Sequence, residues 1–168
     1  MLTLQQYIKE NPTEEKVIAE IFYKTHCNKY IKTNTTRDIK TDKVIRTHEL
    51  DKEDLFDLYD LFILKEEDSY LIFSISENRF DESWVYHRTR EKVKDLEEVI
   101  LIEAIYSFSK NKKLATKNIQ KLQEIANELQ TEILVDTYTP QLVHLAQKLN
   151  LNILKESSLD KKNWISPD

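Results

Sequence analysis

Val99-Ile100-Leu101-Ile102-Glu103-Ala104-Ile105-Tyr106-Ser107-Phe108 is the most β-like run in the chain, and the segments after it decide the fold. Ala115, Ile119, Leu122, Ala126 and Leu129 recur at the spacing of one helix face, which predicts a helix over 115–129. Ile133-Leu134-Val135 reads as a short buried strand. Thr139-Pro140 supplies a cap and a proline for a further helix, whose inner face is Leu142, Val143, Ala146 and Leu149. A last short strand is expected at Leu151 to Leu154. Upstream, Phe62-Ile63-Leu64 and Tyr70-Leu71-Ile72-Phe73-Ser74-Ile75 make two strands joined by a polar turn at Lys65 to Ser69. The order from residue 62 is β-β-β-α-β-α-β, an α/β (α+β) pattern in which helices pack on a sheet. The strand at 99–108 should run parallel to the one at 132–136, with the 115–129 helix crossing between them.

The N-terminal third is less regular. Asn11-Pro12-Thr13-Glu14 has the form of a helix start, and Val17, Ile18, Ile21 and Phe22 carry an apolar face to about Lys24. Residues 26–47 are polar and rich in Thr, Lys and Asn, which predicts loop with one short strand at Val44–Thr47. Asp54 to Tyr59 is ambiguous. Arg79 to Lys94 is charged and aromatic, fits no period, and is expected to be loop.

At 168 residues the chain is expected to fold as one domain. Its 40% apolar and 33% charged residues are those of a globular chain rather than a disordered one. No apolar run approaches the ~20 residues of a membrane span. Met1 to Glu15 lacks the basic, apolar and small-residue succession of a signal peptide. Cys27 is the only cysteine, so no internal disulfide can form, and a reducing cytoplasm is the expected compartment. A net charge of −5 gives no general attraction for nucleic acid. His48, His87 and His144 have no metal-ligand spacing, so no metal is expected. Glycine is absent altogether, where average usage of ~7% would place about a dozen. Every turn that needs a positive φ must therefore use another residue, Asn or Asp at least cost. Walker-type P-loops and Rossmann fingerprints are excluded by the same absence.

Charge is unevenly placed. Ala104 to Gln123 contains Lys110, Lys112, Lys113, Lys117 and Lys121 and no acid, whereas Glu49 to Asp68 holds nine acids against Lys52 and Lys65. Lysines at a helix start oppose the helix dipole by ~0.3–1 kcal/mol, a cost that a bound anion would reverse. The alternative is a solvated charged face. The acidic stretch is interleaved with Leu50, Leu55, Phe56, Leu58 and Tyr59, which makes it an amphipathic element rather than a phosphate mimic. Trp84-Val85-Tyr86-His87-Arg88 mixes aromatic and basic residues, as cofactor contacts sometimes do, although aromatics packed on a core explain it as well.

Lys110-Asn111-Lys112-Lys113-Leu114-Ala115-Thr116 resembles the acyl-CoA loop of GNAT-type N-acetyltransferases, whose pattern is Arg or Gln, two variable residues, Gly, one variable residue, then Gly or Ala. Lys110 stands at the Arg or Gln position, Lys113 at the first Gly and Ala115 at the last small residue. Leu145-Ala146-Gln147-Lys148-Leu149-Asn150-Leu151 is similar to a second stretch of that family, with Ala146 in place of the tyrosine general acid and Asn150 in place of a glycine. The likeness covers residues 61–156, with 1–60 a divergent N-terminal part of the same 1–168 domain. It implies a GNAT-like mixed central sheet with helices on both faces. It also implies acetyl-CoA as cofactor, held by Ile105, Ser107, Lys110, Asn111, Lys112, Lys113, Leu114, Ala115 and Thr116, with the loop N–H groups cradling the pyrophosphate.

Glu97 and Glu98 precede the strand near where many family members place a general base. Glu98 is the first candidate for that role and Glu103, inside the strand, the second. Each also reads as surface charge. His26 and Cys27 are adjacent, which does not make their side chains converge as a nucleophile and its base must. Two functions stay open: an acyl-CoA-dependent N-acyltransferase acting on an amine of a protein or small molecule, and a catalytically inactive protein-binding or CoA-sensing module, such as an antagonist of another cellular system. A tyrosine installed at Ala146 is expected to restore an acid in the first case.

Overall fold

The computed structural model of the chain describes residues 1–53, 61–80, 85, 87–110, 112–135 and 140–153. Helix α1 spans Leu4–Glu10; a 3-10 turn at Pro12–Glu14 leads into α2, Glu15–Lys24; a second such turn, Asn28–Tyr30, precedes strand β1, Ile31–Arg37. Then come β2 (Val44–Leu50), β3 (Leu61–Glu66), β4 (Ser69–Glu77), α3 (His87–Val93), β5 (Glu98–Ser107), α4 (Lys112–Leu129), β6 (Ile133–Val135), α5 (Pro140–Lys148) and β7 (Asn152–Ile153). The central sheet has the order β3-β4-β5-β6-β7, antiparallel up to β5 and parallel beyond it. Ile100, Leu101 and Ile102 of β5 face Ile133, Leu134 and Val135 of β6, with α4 between the two strands in the chain. The predicted parallel pair is thus present.

Helices cover both faces of this mixed sheet, and strand periodicity decides which side chains meet which helices. Leu71 and Phe73 of β4 and Ile100 and Ile102 of β5 pack with Ile119, Leu122 and Ala126 of α4 and Ala146 of α5. On the other face Tyr70 and Ile72 of β4 and Ile63 of β3 meet Leu4 and Ile8 of α1 and Ile18, Ile21 and Phe22 of α2. A third cluster, Val85, Val93, Val99 and Leu134, lies under α3. Leu129, which fits the predicted α4 stripe, is exposed.

Three expectations need correction. Residues 26–47 are not mostly loop: β1 and β2 form a separate antiparallel hairpin from Ile31↔Leu50 to Arg37↔Val44. Nearly all of it is solvent-exposed, so no alternation of apolar and polar residues marks it, and Thr33, Thr35 and Thr36 supply the β-preference instead. Arg79 to Lys94 is not all loop either, because α3 occupies His87–Val93. At two turns it buries only Thr89 and Val93, too few positions to show a period. The Asn78 amide donates to the carbonyls of Val93 (2.6 Å) and Leu96 (2.8 Å) and ties off its end. Asn11 does not cap the helix after it; its amide donates to the Tyr7 carbonyl (3.0 Å) and closes α1, while Pro12 begins the next turn as predicted. Asp54 to Tyr59, Trp84, Tyr86, Asn111 and Leu154 lie outside the described residues.

The missing glycines leave a visible mark. His26, Asp42, Glu67, Gln130 and Asn150 adopt φ values of 50–59°. Three of these close helices in the same way. Cys27 N–H reaches Phe22 O (2.8 Å) and His26 N–H reaches Tyr23 O (3.1 Å); Thr131 and Gln130 repeat the pair on Ala126 and Asn127, and Leu151 and Asn150 on Ala146 and Gln147. This is the Schellman closure, which normally places glycine at the left-handed residue. A left-handed residue with a Cβ costs roughly 1–2 kcal/mol, partly offset by glycine's larger unfolded-state entropy. Gln130→Gly should therefore stabilise the chain by ~0.5–1 kcal/mol, a rise in Tm of roughly 1–4 °C. Thermal unfolding of the single variant checks this, and an unchanged or lower Tm would show that the site carries no strain.

Candidate functional site

β5 carries a bulge. Ile72 of β4 faces Ala104 and Phe73 faces Ile102, so Glu103 has no partner across the pair. An extra residue reverses the side-chain phase of a strand. Before it, Ile100 and Ile102 point to α4; after it, Ala104 joins the α1–α2 cluster with Tyr106 packed against it, and Ile105 turns to α4. Glu103 follows Ile102 in ordinary alternation and so lies on the α2 face, and the bulge brings Ala104 and Tyr106 onto that face after it. Glu103 accepts a hydrogen bond from Ser74 Oγ (3.0 Å) and pairs with Lys29 Nζ (3.0 Å). Its side chain is 6% exposed and that of Lys29 54%.

The wall opposite comes from the end of α2. Left-handed His26 turns the chain sharply, and the 3-10 turn from Asn28 lays Lys29 against Glu103. His26, Cys27, Asn28, Lys29, Leu101, Ile102 and Glu103 line an open cleft there. Burial by itself would lower the pKa of Lys29; the charge of Glu103 and its hydrogen bond, with Tyr30 and Cys27 adding, outweigh burial and raise it. Burial first, then the Glu103 charge, raises the pKa of the Tyr30 hydroxyl despite the Lys29 charge. The Lys29 ammonium also lies 4.9 Å from the centre of the Tyr30 ring. The cleft thus presents the Glu103–Lys29 ion pair, and the raised pKa keeps the Lys29 ammonium charged at neutral pH.

The second candidate region is the start of α4. Phe108 N–H donates to Asp68 O (3.1 Å), and Ser109 Oγ to Asp68 Oδ1 (3.0 Å). Ser107 Oγ donates to Ser69 Oγ (2.7 Å), and the buried Asn118 amide reaches Ser69 O at 3.0 Å. These bonds fix the turn from β5 into α4 against the β3–β4 turn. Lys110 and Lys113 are exposed, Leu114 is buried, and Ala115 and Thr116 are half-buried. The first turn of α4 holds no acid. Lys121 belongs elsewhere: it pairs with Glu66 of β3, and that hydrogen bond, its charge and then Lys117 hold the Glu66 carboxyl below its usual range.

Glu98 and the α4 start are far apart. Glu98 opens β5, exposed and opposite Glu77, and its carbonyl accepts from Thr131 Oγ1 (2.6 Å). Nine strand steps, about 30 Å, separate it from Ser107. Glu103 is four steps, about 13 Å, from Ser107. Among the described residues, β6 pairs with β5 as far as Val135, opposite Ile102. Ile105 is half-buried against the α4 cluster. His48 stacks on Tyr23 with ring centres 3.8 Å apart, His87 Nδ1 lies 3.4 Å from Arg90 Nη2, and His144 is exposed on α5. Among the described residues no three acids, cysteines or histidines gather into a metal site, and no helix is long and apolar enough to cross a membrane.

The sequence singled out neither Ser74 nor Lys29. Ser74 is a hydroxyl at the end of the buried run Ser69–Ser74, the kind of polar residue that needs a partner inside. Lys29 carries no such signal. No protein-family model, no curated protein and no solved structure matches this chain.

Proposed function

We propose that this chain is a GNAT-like acyl-CoA-dependent N-acyltransferase with Glu103, not Glu98, as its general base. The observation that carries this is a buried carboxylate at the bulge of β5, on the same strand that leads into the basic start of α4. The diphosphate of acyl-CoA would meet the N–H groups of α4's first turn beside Lys110 and Lys113, a turn that holds no acid. Acyl-CoA supplies an activated acyl group as a thioester.

The remaining chemistry falls to the cleft. A substrate amine entering beside Lys29 competes for Glu103, and the carboxylate takes the amine's proton as nitrogen becomes nucleophilic. Ser74 holds that carboxylate in place. Ala146 is fully buried and has no hydroxyl to offer, so the thiolate leaves unassisted, which an ordinary thiol pKa of ~8.5 allows near neutral pH.

Acetyl-CoA at ~100 times its dissociation constant should add ~2.7 kcal/mol of stability, a rise in Tm of roughly 5–11 °C. The double variant Lys110→Glu, Lys113→Glu should abolish the rise. No shift at millimolar ligand would remove CoA from the account. A shift without turnover of any amine would favour the CoA-sensing module instead.

A further inference from the structure

We propose that the hairpin β1–β2 binds duplex DNA, entering its major groove as a two-stranded ribbon. Only the root of the hairpin is held by the rest of the chain. Leu50 is buried in the α1–α2 cluster, Ile31 packs against it, and His48 stacks on Tyr23 of α2. From Lys32 to Thr47 every residue except Asp38 is exposed, on both faces of the ribbon. The paired strands run from Ile31↔Leu50 to Arg37↔Val44, about 20 Å. A two-stranded hairpin with no buried face is marginal by itself in water, so burial against a partner is what this one lacks. The major groove of B-DNA, about 12 Å wide, admits such a ribbon.

Charge selects the occupant. The hairpin holds Lys32, Arg37, Lys40, Lys43 and Arg46 against Asp38, Asp42 and Glu49, a positive surplus in a chain whose net charge is −5. Asp42 pairs with Arg37 (3.5 Å), Asp38 accepts the Lys40 N–H (2.9 Å), and Glu49 takes the Asn34 amide. Lys40, Lys43 and Arg46 are exposed and form no ion pair among the described residues. Strand alternation puts Arg37 and Arg46 on one face as diagonal neighbours and Lys43 on the other. An acidic protein patch would meet one face of the ribbon, whereas a groove sets a row of phosphates on each side of it. The exposed hydroxyls of Thr35 and Thr36 are donors of the kind that bind phosphate oxygens. Ile39, 97% exposed, offers the apolar contact that a thymine methyl takes. No Phe, Tyr or Trp lies between Ile31 and Leu50, so the ribbon has no platform for the stacked bases of a single strand. The deep, narrow major groove of an RNA duplex does not admit it. The attraction is local, and the acidic remainder of the chain stays outside the groove. The proposal rests on the hairpin alone and not on the acyl-CoA reading.

The test is fluorescence anisotropy of the full chain with a labelled DNA duplex of about two helical turns. The matching single strand, the RNA duplex and anionic phospholipid vesicles are measured beside it. Raising salt from about 50 to 200 mM should weaken duplex binding roughly 40–150-fold, the counterion release of three or four neutralised phosphates. The double variant Lys43→Glu, Arg46→Glu should weaken binding about tenfold or more and lower the salt slope by about two. Lys92→Glu, Lys148→Glu makes an equal change of charge at exposed positions of α3 and α5, and should alter binding by less than about threefold. In the wild-type chain the NMR amide signals of Thr35, Ile39 and Arg46 should shift on addition of duplex, a readout that needs no variant. Absence of duplex binding at low salt, equal losses in the two double variants, or amide shifts confined to residues outside 31–50 would each overturn the proposal. So would tighter binding to the single strand, the RNA duplex or the vesicles.

Discussion

Glu103→Gln should slow acyl transfer by about 10²–10⁴-fold, the usual contribution of a positioned general base. That loss corresponds to roughly 2.7–5.5 kcal/mol of transition-state stabilisation. Glutamine keeps the shape of the side chain and an oxygen for Ser74, and removes the capacity to take a proton together with the charge that pairs with Lys29. The acetyl-CoA thermal shift should therefore survive, because the phosphate end of the ligand is about 13 Å or more away along β5. Glu98→Gln serves as the control: exposed at the start of β5, it should change neither rate nor stability. The measurement is thiol release from acetyl-CoA with a panel of amines and peptides. Equal rates in wild type and Glu103→Gln, with ligand binding intact, would strip Glu103 of the role. A loss in Glu98→Gln alone would return the base to the strand start.

The central sheet was readable because its signals are strong and local. The apolar run over β5, the 3.6-residue period of α4 and the proline at the start of α5 each name one element. The hairpin β1–β2 escaped because both its faces meet water, and a strand without an inside has no alternation to read. α3 escaped because two turns cannot display a period.

The site was half readable. Glu103 stands out in the sequence as an acid inside an apolar strand, yet nothing in Ile102-Glu103-Ala104 announces that the strand bulges there. Register is a property of two strands, and only pairing with β4 reveals which residue is extra. Lys29 reaches Glu103 through a helix end whose left-handed residue is a histidine. With glycine absent, the usual sequence marker of that reversal is absent too.

Ala146→Tyr should destabilise the chain by about 2–6 kcal/mol rather than restore an acid. In the stretch that resembles the GNAT family, this position stands where that family has its tyrosine general acid. In the structure Ala146 is 0% exposed and packs with the cluster of Leu122, Val135 and Ile153 between α5 and the sheet. A phenol there must displace neighbours, at ~1–3 kcal/mol and occasionally more. Its hydroxyl would also enter an apolar environment, adding ~1–3 kcal/mol where no partner is found. Against a total stability of typically 5–15 kcal/mol, the loss should appear as a fall in Tm of roughly 4–24 °C. Thermal unfolding and thiol release, measured on the same preparation, separate the two outcomes. A variant as stable as wild type that releases thiol faster would mean that the α5 helix presents residue 146 to the substrate. An unstable variant with no gain in rate leaves Glu103 to act without a partnering acid, and explains why a small residue sits at this point of α5.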